Sequence, residues 1–558
     1  MRIRSATLAL FACLAASAAA APVPQGYTYT DEWFPSADGT RLHAGVFLPS
    51  DRKPGEKHPV LVVTGPYTGP NAGVSGASAA ETQTEGVSIR FPELFEGNKY
   101  LRKDRWAYVQ VDTRGFGGSD GCFDYYGPGE ASDVEAANVW ASKQEWSLGP
   151  VGMWGKSYDA ATQVLALATG GEGVAATVIQ APGLSAYTAL WMNGIHYATG
   201  RYGTTAIYTA DDLFPQQNLD TLTNADYARS TAAPVTSLPG QPTCRSDALV
   251  NMNVIGDRSD PFWTGREVYL GAKRSTVPTL WTHGYYDANT KPVHMDIWES
   301  LAGPKYTWLG AFDHKRGHEA TVGRGKFFLD EAWAFLDRYV RGVEGELTAP
   351  KVTVQEANAS GKWRAEEQWP PADATPWAMP LKAGTYTDEP GSAYTSAGGT
   401  GVWTVTKPLP GAAHLAGEPT LDVPVGISVP GAHLVALIYD IDKDGKAYFV
   451  QRGGMALSST DTQRATFKLY PVDYRFLAGH RIAVRIVPGD DDWFSPGVTT
   501  RDVAVGAGTL TLPLLANART KFLQGGVSNF SQTAPRFTLP AATIDAAQVD
   551  ALPPAQTP

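Results

Sequence analysis

An apolar strand, Val151-Gly152-Met153-Trp154, runs into Gly155-Lys156-Ser157-Tyr158 and then into a small-residue helix from about Ala160 to Ala168. A serine on so sharp a strand-to-helix turn is lifted out of the sheet. Its hydroxyl lies at the helix N-terminus, where backbone N–H groups can stabilise a developing negative charge. Two other readings use the same letters. A phosphate-binding loop also ends in Gly-Lys-Ser, but it needs a glycine five residues before Gly155. That position is Pro150, and Gly149 is one residue out of register. The serine could also act only as a helix cap.

Compartment and class follow from the ends and the charge. Arg2 and Arg4, the apolar run Ala6–Ala16 and the small residues Ser17–Ala21 form an export signal, residues 1–20, with cleavage after Ala19 or Ala20. The apolar run is too short to span a bilayer, and no later segment resembles a span. A periplasmic or extracellular location is expected. The formal charge of −10 becomes −12 once Arg2 and Arg4 are removed, with no basic stripe, so nucleic acid is an unsuitable partner. Cys122 and Cys244 would remain, a pair that one disulfide could join in an oxidising compartment.

At 558 residues the chain exceeds one typical core. Short apolar runs at Val60–Val63, Trp106–Val111, Val151–Trp154 and Ala175–Gln180 alternate with helical patterns, as in a mostly parallel α/β sheet. Over about 185–275 the alternation gives way to a partly helical stretch rich in Tyr, Trp, Asn and Thr, read as an inserted cap. Asp260-Pro261-Phe262-Trp263 near its end buttresses that cap or lines a pocket. Strands resume at Thr279–Thr282 and Tyr306–Leu309, followed by a helix from about Gly325. Residues 21–345 therefore form one α/β domain. Residues 346–540 carry short alternating strands with Pro and Gly punctuation, an all-β sandwich, and 541–558 read as a flexible tail.

A nucleophilic serine needs a base, and the base needs a carboxylate to orient it. Candidates follow in chain order after successive strands: Asp287 in Gly284-Tyr285-Tyr286-Asp287, and His314 in Gly310-Ala311-Phe312-Asp313-His314. With Gly155-Lys156-Ser157-Tyr158-Asp159-Ala160, these motifs resemble the family of Xaa-Pro dipeptidyl-peptidases, cocaine esterase and α-amino-acid ester hydrolases, from about residue 30 to about 500. The family elbow is Gly-x-Ser-Tyr-x-Gly, so Ala160 is a departure. The resemblance implies an α/β-hydrolase fold with an inserted cap, followed by a jelly-roll domain whose hairpin and strand patterns match Ile441–Gly445 and Leu477–Ile482. It implies a triad of Ser157, Asp287 and His314, with an oxyanion hole from the Tyr67 hydroxyl in Gly65-Pro66-Tyr67 and the Tyr158 N–H. No cofactor is implied. His318 lies four residues after His314 and is the competing base or a rim residue; the family spacing selects His314. Asp440, Asp442, Asp444 and Gly445 resemble the start of a calcium loop, but Gln451 stands where its bidentate Glu belongs, and a hairpin turn is expected.

The implied activity is hydrolysis of an amide or ester of a small peptide or acyl group, foremost as an Xaa-Pro dipeptidyl-peptidase. An esterase or acylase is the alternative, and a binding protein with a carbohydrate-binding sandwich is the alternative of another class. Amino-acid ester hydrolases hold a substrate amine with carboxylates two and three residues after the catalytic Asp, where this chain has Asn289 and Thr290. Asp159, Asp211, Asp212 and Asp260 are the other candidates for binding an amine. A homo-oligomer is left open.

Overall fold

The computed structural model describes residues 23–67, 89–97, 99–116, 118–198, 250–293, 295–358, 360–490, 492–526 and 534–557. The N-terminal half is built on a ten-stranded sheet. Its strands are β1 (Tyr27–Pro35), β2 (Arg41–Pro49), β3 (Val60–Gly65), β4 (Ala107–Asp112), β5 (Val151–Lys156), β6 (Val174–Gln180), then β9 (Thr279–Gly284), β10 (Lys305–Gly310), β11 (Val352–Gln355) and β12 (Trp363–Glu366). The intervening β7 (Trp191–Met192) and β8 (Ile195–His196) form a small hairpin in the cap. The order is β1-β2-β4-β3-β5-β6-β9-β10-β11-β12, parallel from β4 to β11 with antiparallel pairs at both margins. The central strands are buried because helices cover both faces, which is why they read as continuous apolar runs. Helices α1 (Pro128–Ser142) and α2 (Tyr158–Ala168) pack on one face. The helix Gly325–Tyr339 covers the other through Phe328, Trp333 and Phe335 against Trp154 and Trp308.

The cap is described at residues 186–198 and 250–272. Helix α3 (Ala186–Leu190) and the helix Pro261–Thr264 bring Tyr187, Trp191 and Trp263 onto Tyr125, Tyr126 and Tyr158. Trp263 is buried and donates to Ile255 O at 2.8 Å, so the Asp-Pro-Phe-Trp segment buttresses the cap. Among the described residues no helix is long and apolar enough to cross a membrane.

The C-terminal half packs an eight-stranded sheet against a six-stranded one. The hairpin Ala432–Ile441/Lys446–Leu457 turns at Asp442, whose Oδ1 accepts the N–H groups of Asp444 and Lys446 at 2.9 Å each. The turn consumes the carboxylate that a calcium loop would present. Two strands beyond residue 345 pair with the N-terminal sheet. β11 and β12 join the hydrolase sheet: β11, buried on both faces with Val352 and Val354 on one of them, adds in parallel to β10, and β12 pairs antiparallel with it. Residues 541–557, expected as part of a flexible tail, pack onto the rest of the chain. The helix Ala541–Ala547 buries Ile544 and Ala547, Val549 pairs in parallel with Thr406, and Thr557 exchanges backbone hydrogen bonds with Ala516 and Ala518. A few apolar contacts and an open strand edge hold a segment whose composition alone suggested disorder.

Two buried ionic locks hold these layers. Arg364 on β12 meets Asp473 of the sandwich strand Val472–Phe476 through Nη1–Oδ1 (2.8 Å) and Nη2–Oδ2 (2.5 Å), and His414 Nε2 lies 2.8 Å from the same Oδ1. On the far margin, His43 of β2 sits between Asp112 (2.8 Å) and Asp31 (2.9 Å). Burial disfavours its charge, but the two carboxylates prevail and raise its pKa to about 9. A histidine whose pKa rises on folding stabilises the fold fully below its unfolded pKa, near 6.5, and loses that contribution as pH climbs through 9. Chemical denaturation at pH 6 and pH 9.5 is expected to show a wild-type loss of roughly 2–3 kcal/mol that His43→Gln lacks. Equal losses in the two proteins would remove His43 from this account.

Candidate active site

The elbow is formed as the sequence pattern requires. β5 ends at Lys156, Ser157 takes φ 67° and ψ −122°, and α2 begins at Tyr158. Such a conformation is strained for a residue with a side chain and persists where surrounding structure enforces it. Ser157 N–H is tied to Gln180 O at the end of β6 (3.0 Å), and Ser157 O accepts from the Ala160 and Ala161 N–H groups. Gly155 is needed here, since a Cβ would lie 2.3 Å from Asp159 O. Ala160, the departure from the family elbow, is fully buried in the core beneath the helix. The Ser157 side chain makes no capping hydrogen bond, so capping does not account for a serine at this position.

Asp287 and His314 come together at the ends of β9 and β10. His314 Nδ1 lies 2.8 Å from Asp287 Oδ2. The two loops are stitched to each other: Tyr285 N–H donates to Gly310 O (2.8 Å), and Ala288 N–H to Asp313 Oδ1 (3.2 Å). The loops cross so closely that a Cβ at Gly284 would lie 2.1 Å from Phe312 O. This explains the Gly that opens Gly284-Tyr285-Tyr286-Asp287. The two tyrosines face the sandwich. Tyr285 O accepts from Gln451 Nε2 (3.3 Å), and Tyr286 donates to Val450 O (3.3 Å). The C-terminal domain therefore supports the Asp287 loop directly.

Electrostatics suit a base oriented by an anion. Burial opposes ionisation of Asp287, but the facing His314 and hydrogen bonds from His283 and His314 hold its pKa well below the usual carboxylate range. Burial lowers the pKa of His314, and Lys156 adds to this against the pull of Asp287. Burial also pulls Lys156 down to about 8. His318 is turned away, with Nε2 3.6 Å from Glu93, whose Oε1 also pairs with Arg316 at 3.0 Å.

The Tyr67 ring stands edge-on to the Tyr158 ring, with centroids 6.5 Å apart. The Arg90 guanidinium lies 4.2 Å from the Tyr67 ring centroid and is held by Asp159, Nε to Oδ2 2.5 Å. Asp159 is thus a buried anchor for Arg90, not a free amine-binding group. Asp260 caps the helix Pro261–Thr264 by accepting from Phe262 N–H (2.8 Å). Asp211 and Asp212 lie outside the described residues. Asn289 is exposed, while Thr290 is buried and turned onto Asp287, with Oγ1 2.8 Å from Oδ2. Glu130 went unnoticed in the sequence. It accepts from the Tyr125 and Tyr126 N–H groups and from the Tyr158 hydroxyl (2.5 Å), and burial raises its pKa to about 7. Its only signal is a carboxylate in the first turn of α1, a position that reaches back to preceding N–H groups. Cys122 is disulfide-bonded; Cys244 lies outside the described residues.

Residues 38–316 match the X-Pro dipeptidyl-peptidase (S15 family), and residues 347–524 match the X-Pro dipeptidyl-peptidase C-terminal non-catalytic domain. Cocaine esterase of Rhodococcus sp. is 28% identical over 401 residues, covering 65% of this chain and 63% of the esterase. Among solved structures, an α-amino acid ester hydrolase aligns with TM-score 0.66 at 17% identity, covering 89% of this chain and 98% of that one. A CocE/NonD family hydrolase from Staphylococcus aureus aligns with TM-score 0.66 at 16% identity, covering 87% and 93%. A two-domain fold of this kind, matched over half of the chain by one catalytic family and beyond it by that family's own C-terminal domain, makes this protein a hydrolase belonging to the X-Pro dipeptidyl-peptidase (S15) family.

Proposed function

We propose that the protein cleaves amide or ester bonds by two-step acyl transfer at Ser157, foremost as an Xaa-Pro dipeptidyl-peptidase-like enzyme. The observation that carries this reading is the bond between buried Asp287 and half-buried His314, both of which interact electrostatically with Lys156 of the Ser157 elbow. Ser157 Oγ attacks the carbonyl carbon while His314 Nε2 takes its proton. The Asp287 carboxylate accepts from Nδ1–H, fixing the tautomer and stabilising the imidazolium that forms. Tyr158 N–H and the Tyr67 hydroxyl donate to the oxyanion. The tetrahedral intermediate collapses as His314 returns the proton to the departing amine or alcohol. Water then attacks the acyl-enzyme with His314 again as base, releasing the acid and free Ser157.

Tyr67→Phe is expected to lower kcat about a hundredfold while leaving KM nearly unchanged, since the lost donor acts mainly in the transition state. An unchanged kcat would leave Tyr67 as a packing residue under the cap.

A second reading, esterase or acylase, draws on one observation: Asp159 and Asp260, two of the four carboxylates considered for a substrate amine, are committed elsewhere. A hydrolysis panel separates the two readings. Ala-Pro-nitroanilide, its N-blocked form, aryl esters and amino-acid esters are compared on the purified protein. Preference for the free-amine Pro substrate supports the dipeptidyl-peptidase. Equal or better turnover of the blocked substrate or the esters supports the second reading. The disulfide at Cys122 supports export of the chain by residues 1–20 to a periplasmic or extracellular location.

A further inference from the structure

Asp287 carries more hydrogen-bond donors than a triad requires. Its Oδ1 accepts from the N–H groups of Asn289 and Thr290, each at 2.9 Å. Its Oδ2 faces His314 Nδ1 (2.8 Å), Thr290 Oγ1 (2.8 Å) and a second imidazole, His283 Nε2 (3.1 Å). His283 lies on β9, four residues before Asp287, and is 1% exposed. Its Nδ1 is buried and has no hydrogen-bond partner among the described residues. A ring protonated at Nδ1 would leave a buried N–H unpaired, whereas an unpaired lone pair costs less. The geometry therefore favours the tautomer with hydrogen on Nε2, donating to Asp287.

We infer that His283 is a positioning residue for the hydrolytic reaction: it donates to Asp287 Oδ2 beside His314, and so limits how much of the carboxylate's charge acts on the base. The inference rests on the proposed triad and deepens it. A carboxylate shared among several donors holds each one less strongly. Without His283, more of that charge falls on His314 and favours its protonated form, which cannot act as the base. The other charged groups facing His314 are Asp313, which favours protonation, and Lys156, which opposes it. Lys156 in turn faces Arg90, Arg316 and Glu319. None of these contacts is altered by replacing His283.

The test is the pH dependence of kcat/KM with p-nitrophenyl acetate for wild type, His283→Leu and His283→Gln. For His283→Leu the acid limb is expected to move to higher pH by about half to one unit, with kcat/KM at neutral pH lowered up to about tenfold. His283→Gln, whose amide can donate from nearly the same place, is expected to return the limb towards wild type. A folded His283→Leu enzyme with the wild-type limb would overturn the inference. Nitrogen NMR of the 15N-histidine-labelled wild-type protein at pH 7 tests it without relying on the leucine variant folding, the His283 signals being assigned by their loss in His283→Gln. A ring protonated at Nε2 alone supports the inference, and one protonated at Nδ1 overturns it. This tautomer does not depend on turnover. Failure of the triad would appear separately, as hydrolysis retained by Ser157→Ala.

Discussion

Ser157→Ala is expected to lower kcat by about 10⁴- to 10⁶-fold on every substrate the wild type hydrolyses, with thermal stability within about 1 kcal/mol of wild type. The size of the effect follows from the route. Without Oγ there is no acyl-enzyme, and what remains is whatever oxyanion stabilisation and binding can lend to direct attack by water. A serine serving as a helix cap gives the opposite pattern, a stability loss near 1 kcal/mol with activity kept. The side chain makes no capping hydrogen bond here, yet the backbone is held at φ 67° in a turn tied to β6. That strain is not offset by a capping hydrogen bond. Steady-state kinetics of the two proteins, alongside their denaturation curves, decide between the patterns.

Arg364→Met is expected to destabilise the protein by about 3–5 kcal/mol, the cost of leaving a buried carboxylate without its main partner. Arg364 belongs to the last strand of the hydrolase sheet, and Asp473 to the sandwich. The pair is fully buried and bidentate; His414 also meets Asp473, and Arg364 Nε donates to Glu366 Oε1 at 2.7 Å. Because the sandwich also holds Tyr285 and Tyr286, loosening this joint should disturb Asp287, and activity should fall at temperatures below the unfolding midpoint. The double variant Arg364→Met/Asp473→Leu removes the stranded charge and should recover a large part of the lost stability. A single variant within 1 kcal/mol of wild type would show that the joint is held by apolar packing alone.

Much of this arrangement is legible in the sequence, because it is local. The elbow needs a strand, a glycine, a serine and a helix within a dozen residues. The Asp287 and His314 motifs each sit directly after an apolar run. What escaped is what depends on distant partners. β11 and β12 are short, flanked by turns and indistinguishable in pattern from sandwich strands; only pairing with β10 assigns them to the hydrolase sheet. The tail is low in large apolar residues, and its order comes from edges supplied by other strands. Asp159 reads in the sequence as a carboxylate open to a substrate, but Arg90, far away in sequence, is bound to it. Glu130 and His283 stand outside the motif letters and act through neighbours, Tyr158 and Asp287.

The most direct test of the central claim is covalent labelling by a fluorophosphonate, which reacts with a serine activated by its own base. Peptide mass spectrometry of the labelled protein is predicted to place one phosphonyl group on Ser157, with labelling lost in both Ser157→Ala and His314→Ala. A protein that hydrolyses the panel substrates while Ser157 stays unlabelled, or that is labelled on another serine, would contradict the account.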